Sequence, residues 1–306
     1  GGRSWPSTAS RAPFYNAPMI VSGESGAPAG RLAILHPPGR MGLGANPFGK
    51  DVANLQLWQA LARHAGYEAL DVMTFQPADP VELSQALFGA QPAVTRIETA
   101  LLSRSKAPEA AGALLRGQPE LYDLAWMRRR RSGDRAYSLV GLIHTIAPPT
   151  MRQMIAMTQV APMHDWDALI CTSPSVRDAL EAMFAGWGEH LAARTGGAPP
   201  PRPRLPVIPL GVDAGGFAEL ADRPEARARG RDGLGVAEDD VLVLWVGRLS
   251  YFEKAFPQPM FKAVQIAQAS AGRRITFALA GWFPGEQDRE LYEQAARRHA
   301  PDVEVR

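Results

Sequence analysis

The fold is decided by the stretch Val241-Leu-Val-Leu-Trp-Val-Gly-Arg-Leu-Ser-Tyr-Phe-Glu-Lys254. It begins with six apolar residues, which favour a strand buried on both faces of a parallel sheet. Gly247 ends this run, and the cations Arg248 and Lys254 follow it, six positions apart. Open α/β sheets bind ligands at the carboxyl ends of their strands, so two cations there favour an anionic ligand such as a phosphate or diphosphate. The alternative is a strand, a turn and two solvated charges.

The composition is that of a soluble globular protein long enough for two domains. The chain has 306 residues, of which 46% are hydrophobic and 21% charged. Its 33 basic and 31 acidic residues give a net charge of +2, which provides no general case for binding nucleic acid. The single cysteine, Cys171, excludes an internal disulfide and favours a buried structural thiol. Because neither a signal peptide nor an apolar run of membrane-spanning length occurs, we expect a cytoplasmic location.

The first half begins with a strand–helix–strand pattern. Residues 1–30 lack periodicity and predict a flexible arm. Leu32–His36 is predicted as a strand, Asp51–His64 as an amphipathic helix and Leu70–Phe75 as a second strand. The glycine-rich loop Pro37–Lys50 joins the first two elements, so that backbone N–H groups and a helix amino terminus lie where an anion could bind.

This loop matches neither of two well-known phosphate-binding motifs. Pro47 occupies the third glycine position of the dinucleotide fingerprint, and Asp51 follows Lys50 where a Walker loop has Ser or Thr. A plain surface loop therefore stays open beside a phosphate cradle.

The middle of the chain contains one further site candidate. Residues 80–135 are predicted to be mainly helical, and Arg128–Arg131 is predicted as a solvated helix end, with a basic patch for an acidic acceptor or membrane surface as the alternative. Ser138–Thr145 is predicted as a strand that brings His144 to the carboxyl edge of the sheet, which makes this histidine a site candidate. His36 has the same position at the end of the first strand.

The remaining segments repeat the alternation of strands and helices. Trp166–Thr172 is predicted as a strand, a helix starts at Pro174, Pro206–Leu210 is a short strand, and residues 214–240 connect to a second domain. The second half then predicts a helix, a strand, a helix and a strand after the opening stretch: Pro259–Ala271, Arg274–Ala280, Glu286–His299 and Val303–Val305. Both halves are thus expected to be doubly wound α/β domains with parallel sheets.

Four segments, in this order, resemble glycosyltransferase family 4. Val207-Ile-Pro-Leu-Gly-Val-Asp213, with Phe217 after it, is similar to the hinge motif of that family. Val246-Gly-Arg-Leu-Ser250 with Lys254 resembles its donor-diphosphate motif. Asp167-Ala-Leu-Ile-Cys-Thr-Ser173 resembles the segment before the hinge, and Pro47-Phe-Gly49 resembles the amino-terminal glycine loop.

The resemblance implies a GT-B fold with two Rossmann-like domains. It divides the chain into an acceptor-side domain over residues 31–213 and the first part of a donor-binding domain over residues 214–306. The implied reaction transfers a sugar from a nucleotide diphosphate sugar to an unknown acceptor, with retention and without a metal or resident cofactor. Arg248 and Lys254 would hold the donor diphosphate, Gly49 would let the first helix approach it, and His144 would lie near the transferred sugar as the catalytic candidate.

The chain also departs from the family pattern. Lys254 follows Arg248 one position later than is common, Ala255 replaces a glycine, and Phe48 replaces the first glycine of a pair. The paired-glutamate motif of the family is missing, from which we expect a chain truncated after Arg306 and a fragment that is inactive alone.

Other functions remain open. The chain could be a non-catalytic two-domain binding protein. A GT-B sugar-nucleotide isomerase is disfavoured because the Gly-Arg-Leu-Ser and hinge motifs resemble those of transferases, and a nicotinamide dehydrogenase is disfavoured because the fingerprint is absent. As partners we expect a nucleotide-sugar donor and an acceptor, no nucleic acid and no transmembrane segment, with peripheral membrane contact left open.

Overall fold

The computed structural model describes residues 30–37, 41–44, 46–251, 253–254 and 256–306. The predicted flexible arm over residues 1–30 lies outside these ranges except for Gly30. The chain divides into two compact units, Gly1–Leu210 and Gly211–Arg306. In the described part of the chain, no helix is both long and apolar enough to cross a membrane.

The first unit contains a parallel six-stranded sheet. Its strands are β1 (Arg31–Leu35), β2 (Ala69–Thr74), β3 (Arg96–Leu101), β4 (Ala113–Arg116), β5 (Ser138–Ile143) and β6 (Ala168–Cys171). Its helices are α1 (Gly49–His64), α2 (Pro80–Phe88), α3 (Ala107–Ala111), α4 (Tyr122–Arg131), α5 (Pro149–Ala156) and α6 (Pro174–Thr195), with a 3-10 turn at Met157–Gln159. The strand order is β3-β2-β1-β4-β5-β6, which is the order of a doubly wound Rossmann sheet.

Helices cover both faces of this sheet because successive strand residues point to opposite sides. Ile34 pairs in register with Val72, and both pack with Trp58 of α1 on one face. Leu35 pairs with Met73, and both belong to the core on the other face. The prediction of a parallel, doubly wound α/β domain is confirmed for this unit.

The prediction of a mainly helical segment over residues 80–135 is wrong, because it contains β3 and β4. β3 is an edge strand that is only partly buried, and its sequence alternates apolar residues with Arg96 and Glu98. β4 has only four residues, and alanine and leucine are good helix formers. Its partners β1 and β5 impose the extended conformation, which local propensity did not indicate.

The second unit contains a parallel three-stranded sheet. Its elements are α7 (Ala214–Ala221), α8 (Ala226–Gly233), β7 (Val241–Val246), α9 (Pro257–Ser270), β8 (Ile275–Ala280), α10 (Glu286–His299) and β9 (Glu304–Val305). The strand order is β7-β8-β9, with all pairs parallel. The predicted alternation of strands and helices from residue 241 onward is confirmed, whereas the segment predicted as a connection over residues 214–240 contains two helices.

β7 is not buried on both faces as predicted. It is an edge strand in the described sheet, and Leu244 and Val246 are 55% and 71% exposed. Val243 and Trp245, on the opposite face, pack against the core formed by Phe261, Phe277 and Tyr292. A continuous apolar run therefore identified the strand but not its burial. The strand predicted over Pro206–Leu210 is likewise reduced to an isolated bridge between Val207 and Cys171.

A buried ion pair joins three elements of the first unit. The Arg128 guanidinium donates to both carboxylate oxygens of Asp167, at 2.6 and 2.9 Å, and both side chains are fully buried. Arg128 also donates to the carbonyl oxygens of Tyr137 and Pro162. Asp167 in turn accepts hydrogen bonds from two backbone N–H groups, those of Leu139 and His164. The prediction of a solvated arginine run is therefore wrong for Arg128, whose desolvation is offset by this network.

Replacing Asp167 with Ala should destabilise the first unit by roughly 3–5 kcal/mol, because a guanidinium would be left buried without a counter-charge. Urea unfolding monitored by circular dichroism measures the loss. Arg129→Ala is a matched control, since Arg129 pairs with Asp134 at the surface and its removal should change stability far less. Equal effects of the two substitutions would contradict the structural role of the buried pair.

Candidate functional site

The first unit presents two histidines near the point where its strand order reverses. That reversal lies between β1 and β4, and α/β sheets bind ligands beyond the carboxyl ends of the strands at such a point. Leu35 pairs with Arg116, so His36 and Gly117 follow directly on neighbouring strands. His144 follows the last residue of β5, which is next to β4. Both candidate histidines therefore lie at the predicted edge of the sheet.

His144 contacts two groups from other elements. Its Nε2 atom lies 3.0 Å from Oδ1 of Asn54 on α1 and 3.0 Å from the carbonyl oxygen of Gly117. A Cβ atom on residue 117 would lie 2.5 Å from Oδ1 of Asn54, so the amide reaches this position only because residue 117 is glycine. Helix α1 and the end of β4 thus orient the imidazole.

Burial lowers the pKa of His144 below its ordinary value because the charged ring loses hydration. Lys50 acts in the same direction, whereas the carbonyl of Gly117 and the carboxylates of Asp51 and Glu120 raise the pKa and only partly compensate. The imidazole is therefore neutral around neutral pH, which suits a hydrogen-bonding role.

Gly49 is the first residue of α1, which begins two residues before the helix start predicted at Asp51. A Cβ atom there would meet nothing within 4 Å, so the space beside the turn is open. Asp51 lies in the same turn, and its carboxylate accepts a hydrogen bond from the backbone N–H of Phe48 at 3.1 Å. An anion at this helix terminus would therefore share it with a negative charge, partly balanced by Lys50. The role of Gly49 stays a prediction.

In the second unit, two glycines bring the ends of β7 and β8 into close contact. Gly247 has a φ of 153°, a conformation that favours glycine. A Cβ atom on Gly281 would lie 1.8 Å from the carbonyl oxygen of Gly247. The backbone N–H of Leu249 donates to the carbonyl of Trp282, and that of Tyr251 donates to the Asp288 carboxylate. These contacts fix the start of the loop that carries the predicted cations.

Arg248 contacts a carboxylate and an aromatic ring in this loop region. Its guanidinium donates to Oε2 of Glu253 at 2.6 Å and lies 6.0 Å from the centroid of the Trp282 ring. The Arg248 side chain is 20% exposed, whereas that of Glu253 is 63% exposed. Lys254 is exposed in the same loop. The contact with Glu253 shows that an anionic oxygen can reach the Arg248 guanidinium and form a short hydrogen bond with it.

The four predicted site residues fall into two groups. Arg248 and Lys254 share the loop after β7, and His144 and Gly49 belong to the first unit. Four contacting residues are not among the predicted ones: Asn54, Gly117, Glu253 and Trp282. Glu253 could have been predicted from its place beside Lys254 in the sequence. The contacts of Asn54, Gly117 and Trp282 could not, because they depend on which strands are neighbours. In the described part of the chain, no cluster of His, Cys, Asp and Glu could hold a metal ion.

The remaining three residues of the arginine run differ in their contacts. Arg129 pairs with Asp134, which holds the pKa of that carboxyl down at about 2, and Arg131 donates to the carbonyl of Leu102. Arg130 lines a surface depression of about 410 Å³ together with Asp123, Trp126, Met127 and Arg131. The run is thus not a uniform basic patch.

The predicted buried thiol is confirmed, because Cys171 is fully buried and its pKa is raised to about 11 by burial.

Comparison with known proteins shows similarity in fold only. No protein-family model matches the chain, and no curated protein matches it. Among solved structures, HepE of Anabaena, in complex with UDP and glucose, is 14% identical, with a TM-score of 0.52 over 90% of this chain and 68% of that chain. A trehalose-6-phosphate structure from E. coli bound with UDP-2-fluoro glucose is also 14% identical, with a TM-score of 0.49 over 88% and 69% of the two chains.

The fold is α/β and of the GT-B type, as predicted. The membership in glycosyltransferase family 4 stays a prediction, because an identity of 14% shows the fold and not the family.

Replacing Gly281 with Ala should displace the turn that carries Arg248, because the new methyl group would overlap the carbonyl oxygen of Gly247. We expect a loss of stability of about 1–3 kcal/mol, as for other overpacked sites. Gly285→Ala is the matched control on the same loop, since a Cβ atom there meets nothing within 4 Å. Thermal unfolding of both variants tests this prediction, and an unchanged Gly281→Ala variant would contradict the close contact.

Proposed function

We propose that the chain is a glycosyltransferase of family 4 that binds a nucleotide diphosphate sugar and transfers its sugar to an acceptor. The observation that carries this proposal is the geometry around Arg248. Its guanidinium, fixed beyond the joined glycine turns of β7 and β8, already binds a carboxylate at 2.6 Å. A phosphate presents anionic oxygens of the same kind, and guanidinium groups bind them in the same way. The bound UDP and glucose in the HepE structure, which has a similar fold, support this assignment.

The second unit would bind the diphosphate of the donor. Arg248 and Lys254 would place two positive charges near the bridging and terminal phosphate oxygens. As the bond to the sugar breaks, negative charge develops on the departing nucleoside diphosphate, and fixed cations stabilise that charge more than they stabilise the ground state. In a transfer reaction without a metal ion, Arg248 and Lys254 would supply this electrostatic stabilisation.

Glu253 would have to release Arg248 when the donor binds. Its side chain is 63% exposed, so the carboxylate can rotate away from Arg248 and be hydrated, and the loss of this exposed ion pair costs little. Until then its carboxylate forms an ion pair with the guanidinium. Glu253 thus competes with the diphosphate for Arg248.

The first unit would contribute to recognition of the transferred sugar. The neutral imidazole of His144 is suited to hydrogen bonding with a sugar hydroxyl. The open space beside Gly49 would allow a phosphate group to approach the amino terminus of α1. We further propose that the reaction retains the configuration of the sugar and requires no resident cofactor.

Arg248→Ala and Lys254→Ala should each weaken the binding of a nucleoside diphosphate by about 10- to 100-fold, because each removes a charge-assisted hydrogen bond. Isothermal titration calorimetry with UDP, GDP and ADP, and with their glucose conjugates, measures the change. Arg298→Ala, an exposed arginine on α10, is the control for net charge.

Two outcomes would contradict the proposal. If the Arg248→Ala and Lys254→Ala variants bound nucleoside diphosphates with wild-type affinity, these residues would not form a diphosphate site. Tight binding of free glucose without any dependence on a diphosphate would instead favour a non-catalytic sugar-binding protein.

Glu253→Gln should have the opposite effect and tighten nucleoside diphosphate binding by about 3- to 10-fold, because the competing anion is replaced by a neutral amide. Glu290→Gln on α10 makes the same charge change at a distance from Arg248 in the chain and provides the control. The affinities are measured at low and high salt. A weaker affinity in Glu253→Gln than in Glu290→Gln would show that the carboxylate supports binding rather than competing with it.

A further inference from the structure

The main chain of the second unit brings Trp282 beside Arg248. β7 and β8 pair in parallel, and continuing their register by two residues brings Arg248 level with Trp282. Two backbone hydrogen bonds extend the ladder over this distance. The N–H of Gly247 donates to the carbonyl of Ala280, and that of Leu249 donates to the carbonyl of Trp282, each at 2.9 Å. The backbone therefore places the two residues side by side.

The Arg248 guanidinium lies over the indole ring of Trp282. Its central carbon is 6.0 Å from the ring centroid, a distance at which a cation is attracted to the negative face of an aromatic ring. The Arg248 side chain is 20% exposed, and Trp282 is partly buried. Limited exposure strengthens this attraction, because fewer water molecules compete for the cation.

We propose that Trp282 is a positioning residue that holds the Arg248 guanidinium in place for the diphosphate of the donor. This proposal rests on the proposed function and deepens it, because it specifies what keeps the guanidinium fixed once Glu253 has released it. A carboxylate and a phosphate compete for the same N–H donors. An aromatic ring attracts the cation through its face and occupies none of those donors, so Trp282 can hold Arg248 while the diphosphate is bound.

Packing distinguishes Trp282 from a residue of the core. The next residue, Phe283, packs against the core of the second unit, whereas Trp282 is not part of that cluster in the described part of the chain. The backbone hydrogen bond from Leu249 ends on the carbonyl of Trp282 and does not depend on the indole. Replacing the indole should therefore change the surroundings of Arg248 without removing a core contact or the link between the two strands.

Proton NMR of the free chain tests the contact itself. The side-chain signals of Arg248 are assigned by their loss in the Arg248→Lys variant. In the wild type we expect them to be shifted upfield, because the indole shields protons over its face, and we expect Trp282→Leu to abolish this shift. Trp126→Leu is the matched control, since it removes the ring of a similar pair in the first unit, where Arg129 lies 5.7 Å from the centroid. Arg248 signals that are the same in Trp282→Leu and Trp126→Leu would overturn the proposal.

Inorganic pyrophosphate is the probe for binding, because it carries the diphosphate without a nucleobase or a sugar. Trp282→Leu should weaken the binding of pyrophosphate and of UDP by the same factor, about 3- to 10-fold, since the guanidinium loses its support. Trp282→Phe should restore most of this loss, because a phenyl ring also attracts a cation, though less strongly than an indole. Isothermal titration calorimetry measures these affinities, and Trp126→Leu should bind as the wild type does. A Trp282→Leu variant with the affinities of Trp126→Leu would overturn the proposal.

A double-mutant cycle shows whether Trp282 acts through Arg248. The chain with both Arg248→Ala and Trp282→Leu should bind pyrophosphate no more weakly than Arg248→Ala alone, because without the cation the ring has nothing to position. Additive losses would overturn the proposal in favour of a direct contact between the indole and the ligand. A loss for UDP without a loss for pyrophosphate would also overturn it and would indicate stacking of the indole on the nucleobase.

These measurements separate the role of Trp282 from the proposed function. If Arg248→Ala weakens the binding of UDP and Trp282→Leu does not, the diphosphate site stands and only the role of Trp282 fails. If the wild-type chain binds neither pyrophosphate nor UDP, the proposed function fails and the positioning role fails with it, whatever the NMR spectra show.

Discussion

The first unit depends on the buried pair of Arg128 and Asp167. Removing two charges from water is costly, and this pair is tolerated because every carboxylate oxygen and most guanidinium N–H groups have partners. Those partners belong to α4, the start of β5 and the segment before β6, so the pair fixes the amino-terminal ends of two strands. His144 lies at the opposite, carboxyl-terminal end of β5. The buried pair and the candidate site thus lie at opposite ends of the strands of one sheet.

Much of the fold follows from local sequence patterns. The apolar runs that become β1, β2 and β5, and the periodicity that becomes α1, each occur within a short window and need no partner to be recognised. β3 and β4 could not be predicted in this way. The edge strand Arg96–Leu101 carries polar side chains, and Ala113–Arg116 is too short and too rich in helix-forming residues to show a period. Their conformation is imposed by neighbouring strands, which is tertiary information.

The candidate site shows the same division. A glycine followed by two cations after an apolar run is a local pattern, and it located Arg248 and Lys254. Asn54 is 90 residues from His144, so their contact requires knowledge of which strands are neighbours. Gly117 is recognisable as part of the site only when the amide packed against it is known. Sequence patterns therefore identify groups that bear charge, whereas the groups that orient them are visible only in three dimensions.

The exposure of β7 has a consequence for handling the protein in solution. Val241–Val246 contains no charge, proline or glycine, and its side chains Leu244 and Val246 are largely exposed. In the described sheet its outer edge pairs with no strand. Such six-residue segments with high β-propensity are templates for intermolecular strand addition. Asp239 before the strand is a flanking charge that opposes this self-association, so conditions that neutralise or screen it would favour aggregation.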